Sequence, residues 1–85
     1  MDTFRLLYFG PAESFTKKAA DTFSAPMSLK RLVEALEERY PGIGEKVLKG
    51  SMVTVNLEYV EMGDEGVVLK KGDEVAVIPP AVAVE

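Results

Sequence analysis

The sequence predicts an α+β fold in which one main helix packs across one face of a mixed sheet. Three observations carry that expectation. The first and last strand-forming runs, "FRLLYFG" and "DEVAVIPP", present apolar side chains on both faces, as central strands do. Between them stands a single clear run of helical period, "SLKRLVEALEERYPG". The remaining strand-forming segments are short and bounded by Gly, Asp or Pro.

The elements follow in order. In Phe4 to Gly10, strand alternation puts Phe4, Leu6 and Tyr8 on one face and Leu7 and Phe9 on the other. A loop is expected over "PAESFTKKAA". "DTFSAP" then returns as an antiparallel strand beside the first and stops at Pro26, which has no amide hydrogen to donate to a ladder. In the helix, Leu29, Leu32, Val33, Leu36 and Tyr40 recur at i, i+3, i+4 and i+7 and form the apolar stripe. Ser28 is the expected N-cap, Pro41-Gly42 the stop, and Lys30 with Glu34 an exposed pair one turn apart. "IGEKVLKG" is read as one more helical turn with Ile43, Val47 and Leu48 inward. "MVTVNLEYV" is read as one strand, with Val53, Val55 and Leu57 on one face and Thr54 and Asn56 on the other. A short run, a Gly-Asp turn and a closing strand over Val75 to Ile78 complete the chain, and Pro79 ends ladder pairing because it has no amide hydrogen. Doubly apolar first and last strands belong side by side in the middle of the sheet. That is the ubiquitin-like β-grasp arrangement. The domain is assigned to residues 1–80, with 81–85 as a C-terminal tail.

Composition bounds the chemistry. The 85 residues contain no His, no Cys and no Trp, which removes the usual zinc ligands, the thiolate nucleophile and the side chain best suited to proton transfer at neutral pH. A self-contained enzyme is therefore disfavoured, and without cysteine nothing points to an oxidising compartment. A cytoplasmic protein with no bound cofactor is expected. The net charge is −4, and the basic pairs Lys17-Lys18 and Lys70-Lys71 stand apart, so no basic stripe for nucleic acid forms. No apolar run is long enough for a membrane span. Asp64-Glu65 and Asp73-Glu74 are acids in turns rather than an oxygen cage, so no metal is expected.

"LLYFGPAES", "LEERYPG", "VTVNLEYV" and above all "LKKGDEVAVIPP" resemble, in this order and over nearly the whole chain, the MoaD family, the small subunits of molybdopterin synthase. The related ThiS sulfur carriers are generally shorter and lack the "YPG" helix end. The resemblance implies a sulfur carrier. In such proteins the C-terminal carboxylate is adenylated by a ubiquitin-activating-like (MoeB-like) adenylyltransferase using ATP and converted to a thiocarboxylate. The loaded tail then threads into the large (MoaE-like) synthase subunit. By the same resemblance the partner-binding residues are Phe9, Tyr59 and Ile78, followed by Pro79 and Pro80. Two prolines stiffen the exit of a tail that must stand away from a rigid body.

The tail departs from the family pattern. Family members end in Gly-Gly, whereas Ala83 and Val84 stand in those positions and Glu85 follows. A β-branched valine is stiff and bulky where close backbone approach is needed, so this ending is expected to load sulfur poorly. An altered tail, a paralogue that kept only the partner surface, and a tail used for strand addition all fit the residues. The alternative to a carrier is a non-catalytic ubiquitin-like binding module using the Phe9, Tyr59 and Ile78 face.

Overall fold

The computed structural model describes residues 2–78. Five strands form one sheet in the order β2-β1-β7-β4-β5, where β1 is Thr3–Tyr8, β2 Ala20–Ser24, β4 Met52–Val55, β5 Glu58–Val60 and β7 Glu74–Ile78. A two-stranded ribbon, β3 (Met27–Ser28) with β6 (Val68–Leu69), lies beside it. The first and last strands pair in parallel, Leu6 against Val75 and Tyr8 against Val77, and every other pair in the five-stranded sheet is antiparallel. The adjacency of the two doubly apolar strands thus holds, and β7 occupies the centre. This is the mixed sheet of a β-grasp fold.

The helix α2 (Leu29–Arg39) crosses one face. Leu29, Leu32 and Leu36 are fully buried against Phe4, Leu6, Tyr8, Val53, Val75 and Val77, each contributing about 1.5–3 kcal/mol of apolar burial. The Ser28 hydroxyl accepts a hydrogen bond from the Arg31 amide at 3.0 Å and caps the first turn. Val33 and Tyr40 are half-buried at the margins of the stripe. After Pro41-Gly42 a π-helical turn over Gly44–Leu48 carries Ile43, Val47 and Leu48 into the core, as their spacing anticipated. The Glu37 carboxylate accepts from the amides of Gly42 (2.7 Å) and Gly44 (3.0 Å), satisfying donors that the start of this turn leaves free.

Three local expectations need correction. The segment after β1 holds a short helix, α1 (Pro11–Thr16), rather than only loop. Pro11 suits a first helical position, and Ala12 and Thr16, one turn apart, are both buried. The run "MVTVNLEYV" is a hairpin instead of one strand. Asn56 and Leu57 both have positive φ (51° and 74°), the signature of a two-residue type I′ turn. Asparagine tolerates that region and begins the turn, while Leu57 is carried out of the sheet and left 90% exposed. Finally, Glu34 pairs with Arg31 (3.5 Å) where Lys30 was expected, and Arg31 also reaches Glu38 (3.4 Å). The groups are about half exposed or more, so these pairs contribute little.

Leu57 occupies a backbone region that glycine adopts without penalty. Leu57→Gly gives the favoured Asn-Gly type I′ sequence. It is expected to raise stability by about 0.5 kcal/mol in a urea titration, because relief of strain slightly exceeds the entropy glycine adds to the unfolded chain.

Candidate docking face and tail exit

Among the described residues no helix lies on the sheet face opposite α2, and the residues of that face follow from strand register. One row runs across four strands: Leu7 pairs with Ala76, Ala76 with Thr54, and Thr54 with Tyr59. The next row pairs Ile78 with Met52, and Phe9, one residue beyond β1, continues the alternation on the other side. Arg5 and Glu74 form an ion pair at 3.7 Å on the far side of the Leu7 row and give the patch a charged border.

The result is an apolar surface with a well-packed floor. Phe9 is 46% exposed, Tyr59 70% and Met52 36%, and Ile78 is half-buried. Beneath them Ala76 and Thr54 are buried even though no layer covers this face, because the larger neighbouring side chains shield them. The structure therefore brings Phe9, Ile78 and Tyr59 to one side of one sheet and places none of the three in the core cluster. Phe9 is thus a surface residue and not part of the core. Sequence reasoning missed Met52 as a member of this face. Period-two counting back from Thr54 would have found it.

Ile78 is the last described residue and belongs to the patch through its pairing with Met52. The remaining tail positions named from the sequence, Pro79, Pro80, Ala83, Val84 and Glu85, lie outside the described residues.

A second feature was not anticipated. Asp21, with a side chain only 8% exposed, gathers four partners. Its Oδ2 accepts from the hydroxyls of Tyr8 (2.8 Å) and Tyr40 (2.5 Å), while Lys18 Nζ (3.2 Å) and Arg39 (3.6 Å) face Oδ1. Arg39 also stacks over the Phe23 ring at 4.7 Å. Burial opposes ionisation of Asp21, but the hydrogen bonds from Tyr40, Tyr8 and Lys18 outweigh it and hold the carboxyl below its usual range. Burial first, and then the neighbouring carboxylate, push the Tyr8 phenol far up and keep it neutral. No short-range sequence pattern marks such a cluster, since its members are contributed by β1, β2, the segment before β2 and the end of α2.

A depressed carboxyl pKa means that the unfolded chain binds the proton more readily than the folded one. The stability contributed by Asp21 is therefore complete above the unfolded value of about 4 and is lost as pH falls through the lower folded value. Asp73, held down by the Lys70 amide and the Asn56 side chain, adds to the same loss. Urea titrations between about pH 6 and 2 are expected to show falling stability, and Asp21→Asn a shallower fall.

Elsewhere, a groove of about 430 Å³ lies between α2 and the loop after β5, lined by Lys30, Val33, Glu34, Met62, Gly63 and Glu65. Among the described residues, no three His, Cys, Asp or Glu side chains converge on a metal position. No described helix is long and apolar enough to cross a membrane.

The sequence profile of the ThiS family matches residues 6–82. The chain belongs to the ThiS family. Within the family, the chain is 51% identical over 79 residues to a protein of Pyrenophora tritici-repentis named molybdopterin synthase sulfur carrier subunit, covering 91% of this chain and 85% of that protein. A human protein of the same name is 40% identical over 77 residues, covering 88% of this chain and 86% of its own length. Among solved structures, a Pyrococcus furiosus protein described as a putative molybdopterin converting factor, subunit 1, superposes with a TM-score of 0.79 at 22% identity, over 95% of this chain and all of that one. A chain from a Helicobacter pylori complex of subunits 1 and 2 of molybdopterin-converting factor gives a TM-score of 0.70, also at 22% identity, over 96% of this chain and 99% of that one. At these identities the structural likeness bears on the fold, and it bears out the ubiquitin-like β-grasp arrangement of this ThiS-family chain.

Proposed function

We propose that this chain is the sulfur-carrying small subunit of a molybdopterin synthase and acts in molybdenum cofactor biosynthesis in the cytoplasm. The observation that carries this reading is the shared name of its curated relatives, molybdopterin synthase sulfur carrier subunit, at 40–51% identity over about nine-tenths of the chain. A binding module without carrier chemistry has no such support.

The geometry supplies a physical rationale. A carrier needs a rigid body that a partner grips and a terminal carboxylate that reaches a distant active site. The apolar face of Phe9, Met52, Tyr59 and Ile78 offers the grip, and Ile78, the last described residue, is part of it. Aromatic side chains at the centre of such a face are efficient anchors, since they bury large area while fixing few torsions. The large synthase subunit is the partner for this face. A MoeB-like adenylyltransferase joins the C-terminal carboxylate to the AMP portion of ATP with release of pyrophosphate, and a donor of sulfide-level sulfur then displaces AMP to leave the thiocarboxylate. Binding energy comes from the sheet face and chemistry from the tail.

Reconstitution tests the proposal. The same body ending in Gly-Gly, its large subunit, the activating enzyme, ATP, a sulfur donor and the pterin precursor are expected to give the dithiolene product, and the chain ending in Val84-Glu85 far less. Product formed equally well without the chain would overturn the reading.

A further inference from the structure

We propose that Asp21 is a positioning residue for the docking face: through the Tyr8 hydroxyl it fixes the end of β1 and so the direction in which Phe9 leaves the sheet. The inference rests on the assignment of Phe9 to partner binding.

Asp21 itself is on the helix side of the sheet and touches none of the docking residues. What it holds is their neighbour. Tyr8 is 2% exposed, donates its hydroxyl to Asp21 Oδ2 at 2.8 Å, and donates its amide to the Ala19 carbonyl at 2.9 Å. Its ring meets that of Tyr40 edge-on, with centroids 6.2 Å apart. On the other side of Phe9, Gly10 has φ of 57° and starts the turn into α1. The Phe9 carbonyl accepts from the Ala12 amide at 3.1 Å. Phe9 is thus a single exposed residue between two fixed points, and a residue bracketed in this way has its own backbone torsions set by its neighbours.

The carboxylate is suited to this task. It is almost wholly buried on its side-chain atoms, and both phenols converge on one oxygen while Lys18 and Arg39 balance the charge at the other. Four chain segments are tied at one point behind the β1 end of the docking face. An anchor held in its bound direction before binding loses less freedom on association.

The test is a double-mutant cycle read as Kd for the large synthase subunit by isothermal titration calorimetry. Tyr8→Phe removes one hydroxyl and is expected to weaken binding about fivefold. Asp21→Asn is expected to do the same. In a Phe9→Ala background neither change weakens binding further. Tyr40→Phe removes another bond to the same carboxylate but leaves the Tyr8–Asp21 bond and the ring contact in place, and is expected to lower the thermal midpoint while Kd stays within about twofold. Equal losses from Tyr8→Phe with and without Phe9 would overturn the inference, as would a Kd that follows the thermal midpoint across all three variants. If Phe9→Ala alone leaves Kd unchanged, the docking assignment fails instead.

Discussion

The double substitution Phe9→Asp with Tyr59→Asp is expected to weaken binding to the large synthase subunit about 100-fold or more, while the domain stays folded. Both side chains stand largely free on the uncovered sheet face, 46% and 70% exposed, so their replacement leaves no cavity. Surface changes of this kind usually alter stability by less than about 1 kcal/mol. A partner that covers the face must, however, desolvate two carboxylates against apolar side chains, and aromatic anchors in an interface contribute about 2 kcal/mol or more each. Calorimetric titration gives Kd, and a thermal melt of the same sample shows that the fold survives. A Kd within threefold of the unmodified chain would remove this face from the interface.

Leu6→Ala is expected to have the opposite signature. Leu6 is completely buried beneath α2, paired with Val75 at the centre of the sheet and with Asp21 on β2. Truncation there forfeits burial and leaves a cavity that rigid strands on both sides cannot close, at a cost of about 3 kcal/mol. A domain of this size holds only about 5–10 kcal/mol in total, so the thermal midpoint should fall by about 15 °C. Leu7→Ala, one residue along the same strand but on the half-open face, should cost much less stability and more partner affinity. The contrast between adjacent residues reads out the two faces of β1 directly. Similar losses of stability at both positions would mean that the face opposite α2 is as tightly covered as the core.

Much of the architecture was legible because it rests on periodicities that survive in the sequence. The leucine stripe of α2 and the doubly apolar first and last strands imposed the helix, the sheet centre and the parallel pairing of β1 with β7. What escaped depends on single residues in unusual backbone. A leucine at φ of 74° reads in sequence as one more strand residue, so the β4–β5 hairpin was taken for a continuous strand. The short helix α1 is six residues, too few for a helical period to stand out from a loop rich in polar and small side chains. Family resemblance alone points to Phe9, Tyr59 and Ile78 as candidates for docking, whereas their common face follows from register, which the sequence constrains only once the strands are paired. Asp21 shows the other limit. A lone acid in "AADTF" carries no sign of the two phenols and two cations that the fold gathers around it.

The most direct test of carrier function is intact-mass spectrometry after incubation with a MoeB-like activating enzyme, ATP and a sulfur donor. Two forms are compared, the chain ending Val82-Ala83-Val84-Glu85 and the same body ending in Gly-Gly. The Gly-Gly form is expected to gain the mass of one oxygen replaced by sulfur at its C-terminus. The valine- and glutamate-bearing tail gains far less, because its side chains obstruct close approach of the backbone to the nucleotide. No gain by the Gly-Gly form, in a reaction that loads a related sulfur carrier, would contradict the assignment of this chain as a sulfur carrier.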